Sequence, residues 1–211
     1  MSFLRFFLEL SADIATRTVE HLFLVAVSTA IAAGLGVPLG LFLTRRPSLA
    51  SPVIGFANVM QTVPSLALFG FLIPIPWIGG IGNRTAVVAL VLYAMLPILR
   101  NTYAGIQSVD PAIVEAGRGM GMTDFERLRI IEVPLALPTI LAGVRIATVV
   151  SVGLATIAAA VGAGGLGNFI FRGLSMVDSR LILAGAIPAA GLAIAADAVL
   201  GGLERRLGAR R

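Results

Sequence analysis

The chain reads as an all-α integral membrane protein of about five transmembrane helices, with one polar loop between the third and fourth spans. Three observations predict this. Hydrophobic residues make up 57% of the chain, at a mean hydropathy of +0.96. Charged residues make up only 13%, about half of what soluble domains carry. Five apolar runs, at about 21–43, 53–73, 85–103, 135–161 and 181–203, each approach the roughly 20 residues that cross a hydrocarbon core. The runs are continuous and not alternating, so helices, which satisfy their own backbone amides in lipid, are expected in place of a barrel.

Residues 1–20 contain FLRFFLEL, too short to span and without the cationic start and small-residue cleavage site of a signal peptide, so they read as an interfacial segment. The span domain is 21–203. His21, the one histidine, stands at the mouth of the first span as an ordinary polar boundary residue. Ala26, Ala30 and Gly34 then form a short stripe of small residues. In the second run Gln61, Thr62, Pro64 and Ser65 place polar groups and a proline break in apolar sequence; the carbonyl a proline frees is tolerated where it lines a wet path. The fourth run carries Gly143, Ala147, Ser151, Ala155 and Ala159 every four residues, which suits either packing within the chain or a dimer seam or pore lining. Gln61, Thr62, Pro64, Ser65 and Ser151 are therefore the candidate path residues. Arg145 and Asp197 fall in the inner half of the fourth and fifth spans, where a lone charge would cost several kcal/mol, so they are expected to pair.

Residues 115–134, EAGRGMGMTDFERLRIIEVP, are the one strongly polar stretch inside the chain and read as a partner-binding helix, turn and helix. Asp110 caps a first helix opening at Pro111, and Gly121 breaks it. Thr123 and Glu126 fit a capping box, which starts a second helix at Asp124. Pro134 is expected to end that helix.

All sixteen basic residues are arginine. If the loops after the first, third and fifth spans are cytoplasmic, that side gathers ten (Arg45, Arg46, Arg100, Arg118, Arg127, Arg129, Arg205, Arg206, Arg210, Arg211) against five (Arg5, Arg17, Arg84, Arg172, Arg180). The positive-inside rule then places the N-terminus outside and the basic tail 204–211 in the cytoplasm. The same rule accounts for the basic balance without a nucleic-acid partner. With no cysteine, no lysine and one histidine, the chain offers no thiolate metal site, no Walker-type phosphate loop and no catalytic constellation. GAGGLG at 162–167 matches a dinucleotide-binding pattern but follows a membrane helix and not a strand, so it reads as a tight turn.

The polar segment resembles the cytoplasmic loop signature of permease subunits of binding-protein-dependent ATP-binding-cassette importers. Glu115, Ala116, Gly121, Ile131 and Pro134 stand at the matching spacing, with Gly117 in place of a second alanine and Val133 in place of a leucine. QTVPSLALFG at 61–70, GAGGLGNFIFRG at 162–173 and LILAGAIPAA at 181–190 look like the osmoprotectant branch, which imports glycine betaine, carnitine or choline. The resemblance covers about 20 to 207. It implies a bacterial inner-membrane permease whose loop 104–134 is a coupling helix, with Glu115, Ala116, Gly117, Gly121, Ile131 and Pro134 meeting the ATPase. Its implied partners are a second permease subunit, two ATPase subunits holding ATP and Mg, and an extracytoplasmic binding protein that does most of the solute selection. Trp77 and Tyr93 are the aromatics free to add cation–π contact on this chain. The competing readings are a permease for another small solute such as methionine, and a secondary transporter, which would show inverted repeats or several intramembrane ionisable groups.

Overall fold

Proline and glycine positions decide where the helices of this chain stop, bend or carry on. In the computed structural model, which describes residues 3–208, a short helix α1 (Phe3–Glu9) leads into α2 (Ser11–Thr44). At about 1.5 Å per residue α2 outruns a hydrocarbon core. Residues 11–20, assigned above to the N-terminal segment, form its first turns. The second apolar run is two helices, α3 (Pro47–Thr62) and α4 (Ser65–Leu72), bent by 102° where Val63 and Pro64 lie extended. The residue before a proline is pushed out of helical geometry, which locates the bend.

Helix α5 (Asn83–Gln107) follows a loop, and two short helices, α6 (Pro111–Gly119) and α7 (Asp124–Arg127), make up the polar segment. A π-helical turn (Leu128–Glu132) carries α7 directly into α8 (Val133–Ala158). A 3-10 turn (Ala159–Val161), α9 (Gly167–Met176) and α10 (Ser179–Gly208) complete the described chain. Among the described residues four helices are long and apolar enough to cross a membrane, and the bent α3–α4 pair makes a fifth crossing when taken as one span. Arg210 and Arg211 lie outside the described residues.

The expectation for Pro134 is corrected here. The helix does not end at that residue, because the preceding turn carries one extra residue per turn and regroups the carbonyls that a proline would leave unpaired.

The central span is α5, packed between α2 and α8, while α10 lies on α8 and is the least enclosed. Lipid tails are as apolar as leucine, so close backbone approach holds such helices together. Small residues permit it. A Cβ added at Gly143 would stand 2.6 Å from Asn101 Cβ and 2.8 Å from the Pro97 carbonyl of α5. Gly143, Ala147, Ser151 and Ala155 are all buried, so the α8 stripe packs inside this chain. The α2 stripe behaves oppositely: Ala26, Ala30 and Gly34 are exposed, and the buried face runs through His21, Val25, Ser28, Ala32, Gly36 and Gly40.

Candidate functional site

The polar segment sits at one end of the bundle, together with the α2–α3 link and the last turn of α10, where Leu207 shares an apolar groove with Ile131 and Pro134. Its local structure follows from its caps. The Asp110 side chain accepts from the Ala112 amide at 2.8 Å, with Pro111 at the first helical position. Past α6, Gly121 adopts φ +81°, with no atom within 4 Å of where a Cβ would lie; the demand for glycine there is one of backbone conformation alone. Thr123 and Glu126 form a reciprocal box, Thr123 N–H donating to Glu126 Oε2 at 2.8 Å and Glu126 N–H to Thr123 Oγ1 at 3.3 Å. The Thr123 amide, and then its hydroxyl, hold the Glu126 carboxyl below the usual carboxylate range.

The two short helices are fastened to each other by buried groups. Arg127 is buried, pairs with Asp124 and donates to the Met122 carbonyl at 3.4 Å across the turn. Gly117 packs against Ile131, where an added Cβ would come 2.6 Å from Ile131 Cδ1. Two residues singled out by spacing thus touch. Ala116 is exposed, and Glu115 makes an exposed ion pair with Arg118 at 3.0 Å, a contact of little energetic weight.

What the sequence reading missed is the apolar surface of this segment. Met120 is 70% and Phe125 69% exposed, and Ile113 and Ile130 are exposed beside them. Ile113 and Ile130 join Ile131, Pro134, Leu135 and Leu207 around a groove of about 510 Å³. The available signal was that these large apolar residues occur inside the most charged stretch of the chain, where no core can absorb them. Glu132 was missed as well. Its carboxylate receives Arg45 Nη2 at 2.8 and 2.7 Å, and its side chain is only 3% exposed. Glu132, Arg45 and Glu115 line one cavity of about 250 Å³.

At the broken second span the polar residues are committed locally. Gln61 Nε2 donates to the Tyr93 carbonyl at 2.9 Å, the Tyr93 hydroxyl donates back to the Val63 carbonyl, and Thr62 Oγ1 donates to the Val59 carbonyl at 2.7 Å. Pro64 is exposed at the bend and Ser65 half-buried beside it. Tyr93 is therefore a lock on the bend, while Trp77 stands 91% exposed with φ +72° in the α4–α5 loop. Ser151 is fully buried in α8 and its hydroxyl has no hydrogen-bond partner among the described residues.

Arg145 and Asp197 lie together, Nη1 to Oδ1 3.4 Å, and Glu204, absent from the sequence reading, is 3.2 Å from Arg145 Nε. One guanidinium thus serves two carboxylates of α10 that lie about two turns of helix apart. At the opposite end of the bundle, Gly162, Gly164 and Gly165 all take positive φ, as a tight turn requires. Glu20 Oε2 accepts from the Gly165 amide at 2.9 Å, and the buried His21 donates through Nε2 to the Val152 carbonyl at 3.0 Å. Among the described residues no group of three or more His, Asp or Glu side chains is placed to hold a metal.

Comparison with known proteins places this geometry. The family described as "Binding-protein-dependent transport system inner membrane component" matches residues 36–209. The glycine betaine/carnitine/choline transport system permease protein OpuCB of Bacillus subtilis (strain 168) is 45% identical over 195 residues, 92% of this chain and 88% of that protein. The osmoprotectant import permease protein OsmW of Salmonella typhimurium (strain LT2) is 45% identical over 206 residues, 97% of this chain and 96% of that one. Among solved structures, inward facing conformations of the MetNI methionine ABC transporter align at a TM-score of 0.82 and 24% identity, covering 92% of this chain and 95% of that one, a likeness of fold.

Proposed function

The chain belongs to the family of inner membrane components of binding-protein-dependent transport systems, and from that premise we propose how this ABC-importer permease couples and what it carries. Residues 110–134 form a coupling segment that docks in a groove of a separate ATP-binding-cassette ATPase. The observation that carries this is the pair of capped helices presenting Met120, Phe125, Ile113 and Ile130 to solvent amid charged residues. Large apolar side chains ringed by charge, outside the spans, have the composition of a helix-in-groove contact.

In this reading Gly121 sets the angle between the helices, Glu115 and Ala116 face the ATPase, and Gly117, Ile131 and Pro134 hold the segment on the bundle. The segment and the α10 tail face the cytoplasm, the N-terminus and the glycine turn face outward, and an extracytoplasmic binding protein delivers solute there. Closure of the ATPase pair on ATP and Mg rocks the helices of two permease subunits around a shared path. Gln61, Thr62, Pro64 and Ser65, at the bend, are the proposed path residues, while Ser151, fully buried within this chain, is left to helix packing. The solute is a small quaternary-ammonium osmoprotectant, supported by the names of the relatives above. With Tyr93 committed to Val63, an aromatic cage for such a cation belongs to the delivering protein.

The test is uptake into vesicles holding this chain with its ATPase and binding protein. ATP-dependent accumulation of labelled glycine betaine, choline or carnitine is expected. Uptake of methionine in their place would redirect the substrate reading, and uptake without ATPase would overturn the importer reading in favour of a secondary transporter.

A further inference from the structure

The helical rod that joins the coupling segment to α8 contains its own weak point. The π-turn at Leu128–Glu132 holds one residue more than an α-helical turn, and Pro134 just beyond it has no N–H to give to the ladder. A force applied to α6 and α7 would bend the rod there before it moved α8. The buried carboxylate of Glu132 sits inside this turn and is gripped through both oxygens by Arg45, the residue that ends α2.

We propose that Arg45 and Glu132 are a positioning pair that stiffens this joint, so that displacement of the coupling segment is delivered to α2 and α8 as one unit. The proposal rests on the coupling reading above. An ion pair with one buried and one half-exposed partner is poor support for stability as such, so its place at the π-turn needs a mechanical reason. The opposite ends of the same two helices supply a second observation. There Glu20 accepts from Gly165 N–H, in the turn that leaves α8, and His21 donates to Val152 of α8. Helices α2 and α8 are thus joined near both ends, by contacts 87 residues apart in sequence at one end and 131 and 145 apart at the other. A lever fastened at both ends carries a displacement across the membrane without loss at the joint. With the inner fastening removed, the ATPase would still dock and hydrolyse ATP while the spans follow incompletely.

The readout is the number of ATP molecules hydrolysed per labelled glycine betaine taken up, measured in vesicles holding the full transporter. The variants are Glu132→Gln, Arg45→Lys and the exchanged pair Arg45→Glu with Glu132→Arg, each first checked for assembly with the ATPase. Glu132→Gln is expected to assemble, to keep basal ATP hydrolysis and to raise the ratio about 5- to 150-fold, the span of ordinary coupling energies. Arg45→Lys should raise it less, and the exchanged pair should return it toward the wild-type value. Assembled single variants with an unchanged ratio would overturn the proposal, whether or not their rates fall. So would a ratio that stays raised in the exchanged pair, because the two charges would then act separately. Failure of all three variants to assemble would assign the pair to folding alone and overturn it too. Absence of ATP-driven uptake by the wild-type transporter is a separate result, which removes the coupling reading on which the proposal stands.

Discussion

Pro64 bends the chain by 102°, whereas Pro134 lets a helix run through it, and the neighbours of each decide which happens. Around Pro64 the partners are neutral: the Tyr93 hydroxyl donates to the opened Val63 carbonyl, Gln61 donates to the Tyr93 carbonyl, and together they make the bend a stable place for the chain to be. Near Pro134 the partners are charged. Arg45 holds Glu132 just before it, and further along α8 Arg145 holds Glu204 and Asp197, so the continuous helix is braced from the side. A proline removes one donor; what replaces the lost bond sets the outcome.

The comparison predicts a ranking. Removing a brace charge should cost most, because it strands its partners in a poor environment. Arg145→Ala leaves two carboxylates without a counter-charge and is expected to give the largest fall of this series in the thermal midpoint of the detergent-solubilised protein. Asp197→Ala should cost less, since Glu204 remains with the arginine. A double-mutant cycle on Arg145 and Asp197 should show coupling, and strict additivity would break the account of that brace. Next comes the neutral lock: Tyr93→Phe leaves the Val63 carbonyl unpaired at a cost of about 1–3 kcal/mol, read the same way. The smallest effect belongs to Pro134→Ala, within about 1 kcal/mol, because the π-turn before it already accommodates the missing N–H. A larger loss than that of Tyr93→Phe would mean that Pro134 itself, and not the charged brace, shapes the joint.

The same contrast explains what could be read from residues alone. Signals within three or four residues were legible: the Asp110 cap, the turn at Gly121, the Thr123–Glu126 box and the apolar runs all depend on near neighbours. The Arg145–Asp197 pair, 52 residues apart, was legible for another reason, since a charge inside a span needs a partner and there were few to choose from. Glu132 stood among the charges of the polar segment and carried no such signal; only the fold shows that it is buried against Arg45. Glu204 lay past the expected end of the fifth span and was counted with the tail. Pro134 was misread because a stop rule for proline presumes an α-helical turn before it, and a π-turn leaves no mark in sequence. The 102° bend at Pro64 was foreseen as a break but not in size, because Tyr93, which locks it, lies on another helix.

The central claim is that the exposed residues of the segment 110–134 make the face that meets the ATPase, on the side opposite the N-terminus. The chain has no native cysteine, so single cysteines give an unambiguous answer. Phe125→Cys and Met120→Cys, both exposed on the segment, should cross-link to a cysteine-bearing ATPase in assembled transporter and resist an impermeant thiol reagent applied to intact cells. Trp77→Cys, exposed at the other end, should be labelled by that reagent and form no ATPase adduct. An adduct through position 77, or external labelling at 120 and 125, would contradict both the orientation and the coupling role.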